Sequence, residues 1–390
     1  MSDTTAPHID ISLRPARVVG RFLGKRPGPT LVCTASLHGN EPAGTTALQR
    51  VFAQLNEEEP LSHGEFVGIA GNLAALARRQ RFIDIDLNRC WTKERVWALR
   101  RGRLTPEERA SEDAEVEEIL NEAERVISEA KEEVYFLDLH TTSGESPAFG
   151  TIGDTLKNRA LALQFPVPII VGLEEHLDGT FLEYVNSLGC VTMGFEAGKH
   201  DDPVSIDRAE ECIWVALAAT KILQQPERVA SVALARQHLS AVSSSVPRVL
   251  EVRHRHPVEP GDGFAMERGY SSFQPVKAGE LLAHDCRGSL AAFEDSRVLL
   301  PLYQEQGEDG YFLMREFSPL WLALSKWLRR LGLEAALPWL PGVRRDEEDR
   351  NTLIIDRRIA RWFAVQVFHL LGYRKRRMDG DVLVVGRRQE

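Results

Sequence analysis

Up to about residue 225 the chain alternates short apolar runs of strand length with helix-spaced apolar patterns, an order that fits an α/β core with a largely parallel sheet and little else. Leu31-Val32-Cys33-Thr34-Ala35 reads as the first central strand, and residues 134–139, 167–171 and 191–195 read as later ones. After the first, Pro42 stands where a helix can begin without missing its N–H. Ala43, Ala47, Leu48, Val51, Phe52 and Leu55 then follow at helical spacing. Ile83-Asp84-Ile85-Asp86-Leu87 alternates strictly, which predicts a strand with Asp84, Asp86 and Asn88 on one face. Residues 106–133 carry glutamates from Glu107 to Glu124 around Val116, Ile119, Leu120 and Val126, and predict an amphipathic helix whose charges face water.

Beyond this core the texture changes twice. From about 245 to 317, short β-like runs are broken by turn residues such as Pro260-Gly261-Asp262-Gly263 and Ala278-Gly279-Glu280, as in a small all-β domain. The last 73 residues hold Trp321, Trp327, Trp339 and Trp362 and the basic run Tyr373-Arg374-Lys375-Arg376-Arg377. Leu320, Trp321, Leu324, Trp327, Leu328 and Leu331, with Lys326, Arg329 and Arg330, read as an amphipathic helix. Such a stripe can lie on a membrane surface or a partner, and the expectation is that it packs on the body of its own protein. The expected organisation is an α/β domain over 1–240, a small β domain over 241–317, and a mostly helical extension over 318–390.

Composition narrows the function. A net charge of −9 over 390 residues gives no basic footprint for nucleic acid. Cys33, Cys90, Cys190, Cys212 and Cys286 are scattered, odd in number and without a C-x-x-C pair, which points to neither a disulfide framework nor a cysteine metal site. A reducing cytoplasm is the expected compartment. The start, Met1-Ser2-Asp3-Thr4-Thr5, lacks the basic and apolar stretches of a secretory signal, and no run reaches the roughly 18 apolar residues of a membrane span.

The chemistry concentrates where strands end. Ser36-Leu37-His38-Gly39-Asn40-Glu41-Pro42 follows the first central strand, and His140 ends the run Val134-Tyr135-Phe136-Leu137-Asp138-Leu139-His140. Two imidazoles and one carboxylate are a catalytic zinc set that leaves a fourth position for water, provided the Gly39 loop turns tightly. The competing readings are a helix-start Glu beside a surface His, and a structural core His. Glu196, in Gly194-Phe195-Glu196-Ala197-Gly198, is a general-base candidate or else a turn Glu paired with Lys199. Arg89 suits an anionic substrate group and Arg81 an oxyanion, against the reading that Arg78, Arg79, Arg81 and Arg95 are merely solvated. Asp84, Asp86 and Asp138 could orient ligand histidines or serve structure. Ligands in open α/β sheets bind beyond the carboxyl ends of strands, where His38, Glu41, His140 and Glu196 all fall.

Taken in order, His38-Gly39-Asn40-Glu41, Arg81 to Arg89, Asp138-Leu139-His140-Thr141-Thr142 and Gly194 to Gly198 resemble the succinylglutamate desuccinylase/aspartoacylase family, relatives of the zinc carboxypeptidases. The resemblance covers roughly residues 30 to 317. It implies a mixed, largely parallel sheet flanked by helices, with a small β domain over the site. It also implies one zinc on His38, Glu41 and His140, with Glu196 as the catalytic carboxylate and Arg81 polarising the scissile carbonyl. Asn88 and Arg89 would hold a substrate carboxylate, and Tyr311 would face the substrate. The implied activity is hydrolysis of the amide bond of a small anionic N-acyl amino acid. Residues 182–187 lack the arginine that aspartoacylases place there, so N-acetylaspartate itself is not the expected substrate. A carboxypeptidase acting on a peptide C-terminus would use the same residues, and an open groove in place of a roofed site would favour it. A non-catalytic metal-binding or regulatory module is the alternative of another class, set against the presence of the whole His38, Glu41, His140 and Glu196 set.

Overall fold

The computed structural model describes residues 15–57, 63–173, 176–223, 226–304, 306–346, 352–356, 358–360, 368, 371–379 and 381–387. Met1 to Thr5 and Trp362 lie outside the described residues. The α/β part runs β1 (Val18–Leu23), β2 (Arg26–Ala35), α1 (Ala43–Glu57), β3 (His63–Ala70), α2 (Leu73–Arg78), α3 (Lys93–Arg100) and α4 (Glu112–Glu129). It continues with β4 (Val134–Thr142), β5 (Phe149–Ile152), α5 (Leu156–Ala162), β6 (Ile169–Val171), α6 (Phe181–Ser187), β7 (Val191–Lys199), α7 (Val204–Ala219) and α8 (Pro226–Ala241). The next module holds β8 (Val249–Pro257), β9 (Ala265–Met266), β10 (Pro275–Val276), β11 (Leu281–Asp285), β12 (Gly288–Ala291), β13 (Ser296–Leu299) and β14 (Asp309–Glu316).

Strands β3, β2, β4 and β7 pair in parallel, as the buried runs and intervening helices require. One face of this sheet packs Cys33, Ala35, Leu137, Leu139, Met193 and Phe195 against apolar positions of α1 and α7, such as Leu48 and Ile213. The other packs Val32 and Phe136 against Val96 of α3, Ile119 and Leu120 of α4, and Phe181 of α6. The sheet does not stop at the end of this core. β5 joins β7 antiparallel, β6 and β8 extend it in parallel, and β8 then pairs with β14 to give eleven strands in the order β1-β3-β2-β4-β7-β5-β6-β8-β14-β13-β10. Only β9, β11 and β12 form a separate small sheet in the second module.

Two local expectations give way. Residues 83–87 are not a strand: the segment is irregular and ends in a 3-10 turn at Leu87–Arg89. Its backbone is held from outside, because the Glu112 carboxylate accepts hydrogen bonds from the N–H groups of Ile83 (2.6 Å), Asp84 and Ile85 (both 3.2 Å). Glu112, Asp113 and Glu115 are therefore buried at the start of α4 instead of facing water. A carboxylate that gathers several backbone donors substitutes for the ladder those donors would otherwise need.

The extension is helical only at first. After α9 (Pro319–Arg330) and a 3-10 segment, it forms a four-stranded antiparallel sheet, β15 (Val343–Arg345), β16 (Thr352–Asp356), β17 (Tyr373–Asp379) and β18 (Val382–Arg387), in the order β15-β16-β18-β17. Alternation of Leu353 and Ile355 with Leu383 and Val385, all buried, carries the strand signal that the tryptophans and basic run obscured. The α9 stripe also faces the other way from expectation. Ser325 and Arg329 are buried, while Leu320, Trp321, Leu324, Trp327 and Leu331 are exposed. Arg329 donates to the Asp154 carbonyl (2.9 Å) and to its Oδ2 (2.8 Å), and Arg159, paired with the same carboxylate, donates to Ser325 Oγ (3.2 Å). A buried ion pair of this kind wins because it is fully hydrogen-bonded, and removing one partner strands a charge.

Replacing Asp154 with Ala should lower unfolding free energy by about 3–5 kcal/mol, read from urea denaturation; an unchanged midpoint would show that the tail docks by other contacts. Glu112→Ala should cost at least about 1–3 kcal/mol by orphaning the 83–85 amides. Hydrogen exchange at Ile83 and Ile85 should accelerate in that variant, and unaltered protection there would refute the role given to Glu112.

Candidate active site

The loop after β2 is shaped by backbone demands before any chemistry. Ser36 adopts φ 54°, and its Oγ donates to the Glu41 carbonyl at 2.9 Å. Gly39 is needed for close approach: a Cβ there would collide with the backbone of Ala75 and Leu76 in α2. Its N–H donates to the Arg81 carbonyl at 3.0 Å, which ties the first motif to the second. His38 and Glu41 thus come off one tight turn at the carboxyl end of β2. His140 lies in the last part of β4, and its register partner across the parallel ladder is Glu196 of β7. Neighbours at one register position of a parallel pair present their side chains to the same face.

The three expected ligands converge. His38 Nδ1 lies 2.8 Å from Glu41 Oε1, and His140 Nδ1 lies 3.1 Å from Glu41 Oε2. All three ligand atoms fall within 4.8 Å of one another. Each imidazole is gripped from behind: His38 Nε2 is 3.1 Å from Asp86 Oδ1, and His140 Nε2 is 2.7 Å from Asp138 Oδ2. A carboxylate on Nε2 places the proton there and leaves the Nδ1 lone pair for a cation, the arrangement that metal-ligating histidines use. Asp138 in turn accepts from Thr34 Oγ1 at 2.6 Å, and Arg81 donates through Nε (3.1 Å) and Nη2 (2.9 Å) to Asp86. Thus Asp86 and Asp138 orient histidines, whereas Asp84 sits at the surface and accepts from Ser111.

The electrostatics match a cation site. Burial would raise the Glu41 carboxyl, but His38 and His140 reverse this and hold it well below the ordinary range. Burial alone would lower His140, and Asp138 with Glu41 instead lifts it well above the usual imidazole value. Two nitrogens and a carboxylate crowd one point, so a divalent cation there satisfies all of them at once. The donor set is one that zinc takes.

Glu196 stands beside this set with a different character. Burial, opposed by His140 but reinforced by Glu41, pushes its carboxyl up to about 8. Among the described residues its Oε2 is buried and has no hydrogen-bond partner. Lys199, the partner considered for it, pairs with Glu145 (3.1 Å). A buried carboxylate oxygen aimed into a cavity and held by nothing is available to take or give a proton.

The cavity joins these groups to Arg81, Asn88 and Arg89 on one side and to Leu300, Leu302, Gln304, Glu308, Asp309 and Phe312 of the second module on the other. Arg89 is not solvated: Nη2 donates to Asp309 (2.8 Å) and Nη1 to the Asn88 carbonyl (2.9 Å), while Nε is buried without a hydrogen-bond partner among the described residues and lies 3.9 Å from the Glu308 carboxylate. Asn88 Oδ1 accepts from the Phe181 N–H at 2.9 Å, so its side chain is fixed by the start of α6. Tyr311 departs from expectation. It is buried in the second module, stacked on His256 with ring centroids 5.3 Å apart, and it does not line the cavity; Phe312, on the other face of β14, does.

Sequence reading missed His200 and Gln304. His200 Nδ1 contacts Thr141 Oγ1 at 2.7 Å, and its Nε2 contacts Gln304 Oε1 at 3.3 Å. Gln304 Oε1 also accepts from Asn40 Nδ2 at 3.0 Å, which fastens the loop before β14 across the site. The only signal for His200 was its place four residues after Glu196, and Gln304 gave none.

Residues 27–218 match the family model of the succinylglutamate desuccinylase/aspartoacylase catalytic domain. No curated protein sequence matches the chain. Among solved structures, it is similar to the succinylglutamate desuccinylase of Vibrio cholerae, with 14% identity, 84% of this chain and 85% of that one covered, and a TM-score of 0.50. It is also similar to a succinylglutamate desuccinylase/aspartoacylase of Rhodobacter sphaeroides (17% identity, 75% and 88% covered, TM-score 0.52). A third is the product-bound ectoine utilization protein EutE (DoeB) of Ruegeria pomeroyi (18%, 75% and 86%, 0.51). At these identities the likenesses bear on the fold, which is the desuccinylase fold. The family model speaks to the residues, since all four motifs fall inside its span. Over residues 27–218 the chain carries the succinylglutamate desuccinylase/aspartoacylase catalytic domain.

Proposed function

We propose that this protein is a zinc-dependent deacylase that hydrolyses the amide bond of a small N-acyl amino acid carrying one carboxylate. The observation that carries this reading is the convergence of His38 Nδ1, His140 Nδ1 and both Glu41 oxygens, with Asp86 and Asp138 behind the rings and the unpartnered Glu196 oxygen alongside. Zinc held there would lower the pKa of a water from about 15.7 to about 7 and polarise the scissile carbonyl. Glu196 accepts the proton of the attacking water and delivers it to the amine nitrogen as the C–N bond breaks. Arg81, locked by Asp86, keeps Nη1 near the site at 3.6 Å from Glu41 and offers a fixed positive charge to the developing oxyanion.

The substrate carboxylate meets Arg89, whose Nε–H has no hydrogen-bond partner among the described residues and whose two Nη groups each keep a further N–H, with Asn88 beside it. Of the stretch 182–187, where an aspartoacylase would carry a further arginine, Leu182 lines the cavity, beside Leu177 and Thr180. That favours an apolar remainder over a second carboxylate. The Leu300–Leu302 segment, Gln304 and Glu308 border the cavity from the second module, which supports small substrates over a peptide threaded through an open groove. The reducing cytoplasm is the compartment proposed for the enzyme, on its scattered cysteines.

The test is metal analysis of the purified chain with a hydrolysis screen over N-acetyl and N-succinyl amino acids. Stoichiometric zinc with turnover is expected, and zinc with no turnover of any amide would favour a binding module. Glu196→Gln should keep the metal and lose about 10²–10⁴-fold in kcat, so full activity in that variant would remove Glu196 from the mechanism. Asp138→Asn should weaken zinc about 10–100-fold, measured by competition with a chelator; retained affinity would mean that Asp138 does not tune His140.

A further inference from the structure

Helix α9 is built inside out. On its inner side Leu322 packs on the α/β core, Leu328 packs on the core of the tail sheet, and Ser325 and Arg329 are buried against the Asp154 cluster. Its outer side is the apolar one: Leu320 is 81% exposed, Trp321 52%, Trp327 64% and Leu331 53%, and the following 3-10 segment adds Trp339 at 86%. Positions 320, 324, 327 and 331 follow the 3.6-residue period, so these side chains form one stripe. Water gains nothing from such a stripe, and contiguous exposed apolar surface of this kind marks an interaction site.

The charges around the stripe select what covers it. Within α9 the sequence holds Lys326, Arg329 and Arg330 and no acidic residue; Arg329 is turned inward onto Asp154, which leaves Lys326 and Arg330 on the exposed side, in a chain of net charge −9. Lys326 and Arg330 are exposed beside Trp327 and Leu331, and Arg344 is exposed on β15. A two-fold contact between copies would set these cations against their own equivalents, which costs energy. An anionic lipid surface answers both features: tryptophans settle at the headgroup level, leucines enter the acyl boundary, and the bases meet phosphates.

We propose that the outer face of α9, with Trp321, Trp327 and Trp339, docks the protein on the surface of an anionic phospholipid bilayer. This inference does not depend on the deacylase reading. The helix lies in the plane of the interface and does not cross it; among the described residues no helix is long and apolar enough to span a membrane. Its inner face stays bound to the body of the protein, so docking needs no unfolding.

The experiment is co-sedimentation of the full chain with vesicles of phosphatidylcholine and phosphatidylglycerol, against vesicles of phosphatidylcholine alone. Binding should favour the anionic vesicles and fall steeply with salt, with tryptophan emission moving to shorter wavelength. Lys326→Gln and Arg330→Gln should each weaken it about fivefold, and Trp321→Ser with Trp327→Ser at least about tenfold. An unchanged melting temperature in these surface variants shows that folding is intact; if a variant melts early, quenching of wild-type tryptophan by brominated lipids supplies the same answer. Failure to bind at low salt, equal binding to neutral vesicles, or variants that bind like the parent would each overturn the proposal. So would self-association that the tryptophan variants abolish in a chain that ignores vesicles.

Discussion

A carboxylate buried as deeply as Glu41 must be answered by positive charge, and the site is arranged around that demand. Its two oxygens face an imidazole nitrogen each, and the Thr141 N–H adds a third contact at 2.9 Å. Because both rings are pinned at their far nitrogens, neither can rotate to relieve the crowding. Strand β4, the loop after β2 and Arg81 all meet at this knot. Loss of any one of them would loosen the others, since the contacts share partners instead of adding independently.

Much of this is legible in the sequence, for a physical reason. Buried parallel strands leave dense apolar runs in a sequence, and the residues at their carboxyl ends stand out against them as His38, His140 and Glu196 do. The roles of Asp86 and Asp138 could be named only as options, because which carboxylate reaches which ring depends on side-chain direction. Arg89 was readable as a carboxylate fork, but its capture by Asp309, 220 positions away, was not. Tyr311 went astray because a bulge between Asp309 and Tyr311 resets which face of β14 each residue occupies.

The remaining misreadings share a cause: local pattern was overruled by distant hydrogen bonds. Strict alternation over 83–87 would suit a strand, yet among the described residues no neighbouring strand pairs with it, and Glu112 collects the amides instead. The same glutamate sits in a helix rich in charge, where nothing in the sequence separates it from its solvated neighbours. The tail inverts the usual inference as well. Buried Ser325 and Arg329 are polar because their partners, Arg159 and Asp154, are polar, and the apolar side of α9 is left outward as a result.

The eleven-stranded sheet has a bearing on how molecules enter and leave the cavity. β8 is hydrogen-bonded to β6 on one edge and to β14 on the other, so the floor under His140 and the wall carrying Asp309 belong to one continuous ladder. Opening the chamber by swinging one half away from the other would rupture that ladder along its length. Traffic therefore has to pass through the connections between strands, where Asn40, His200 and Gln304 form a small clasp of neutral hydrogen bonds. In such an architecture a wider aperture comes from loops parting at these few hydrogen bonds and not from two jaws swinging open.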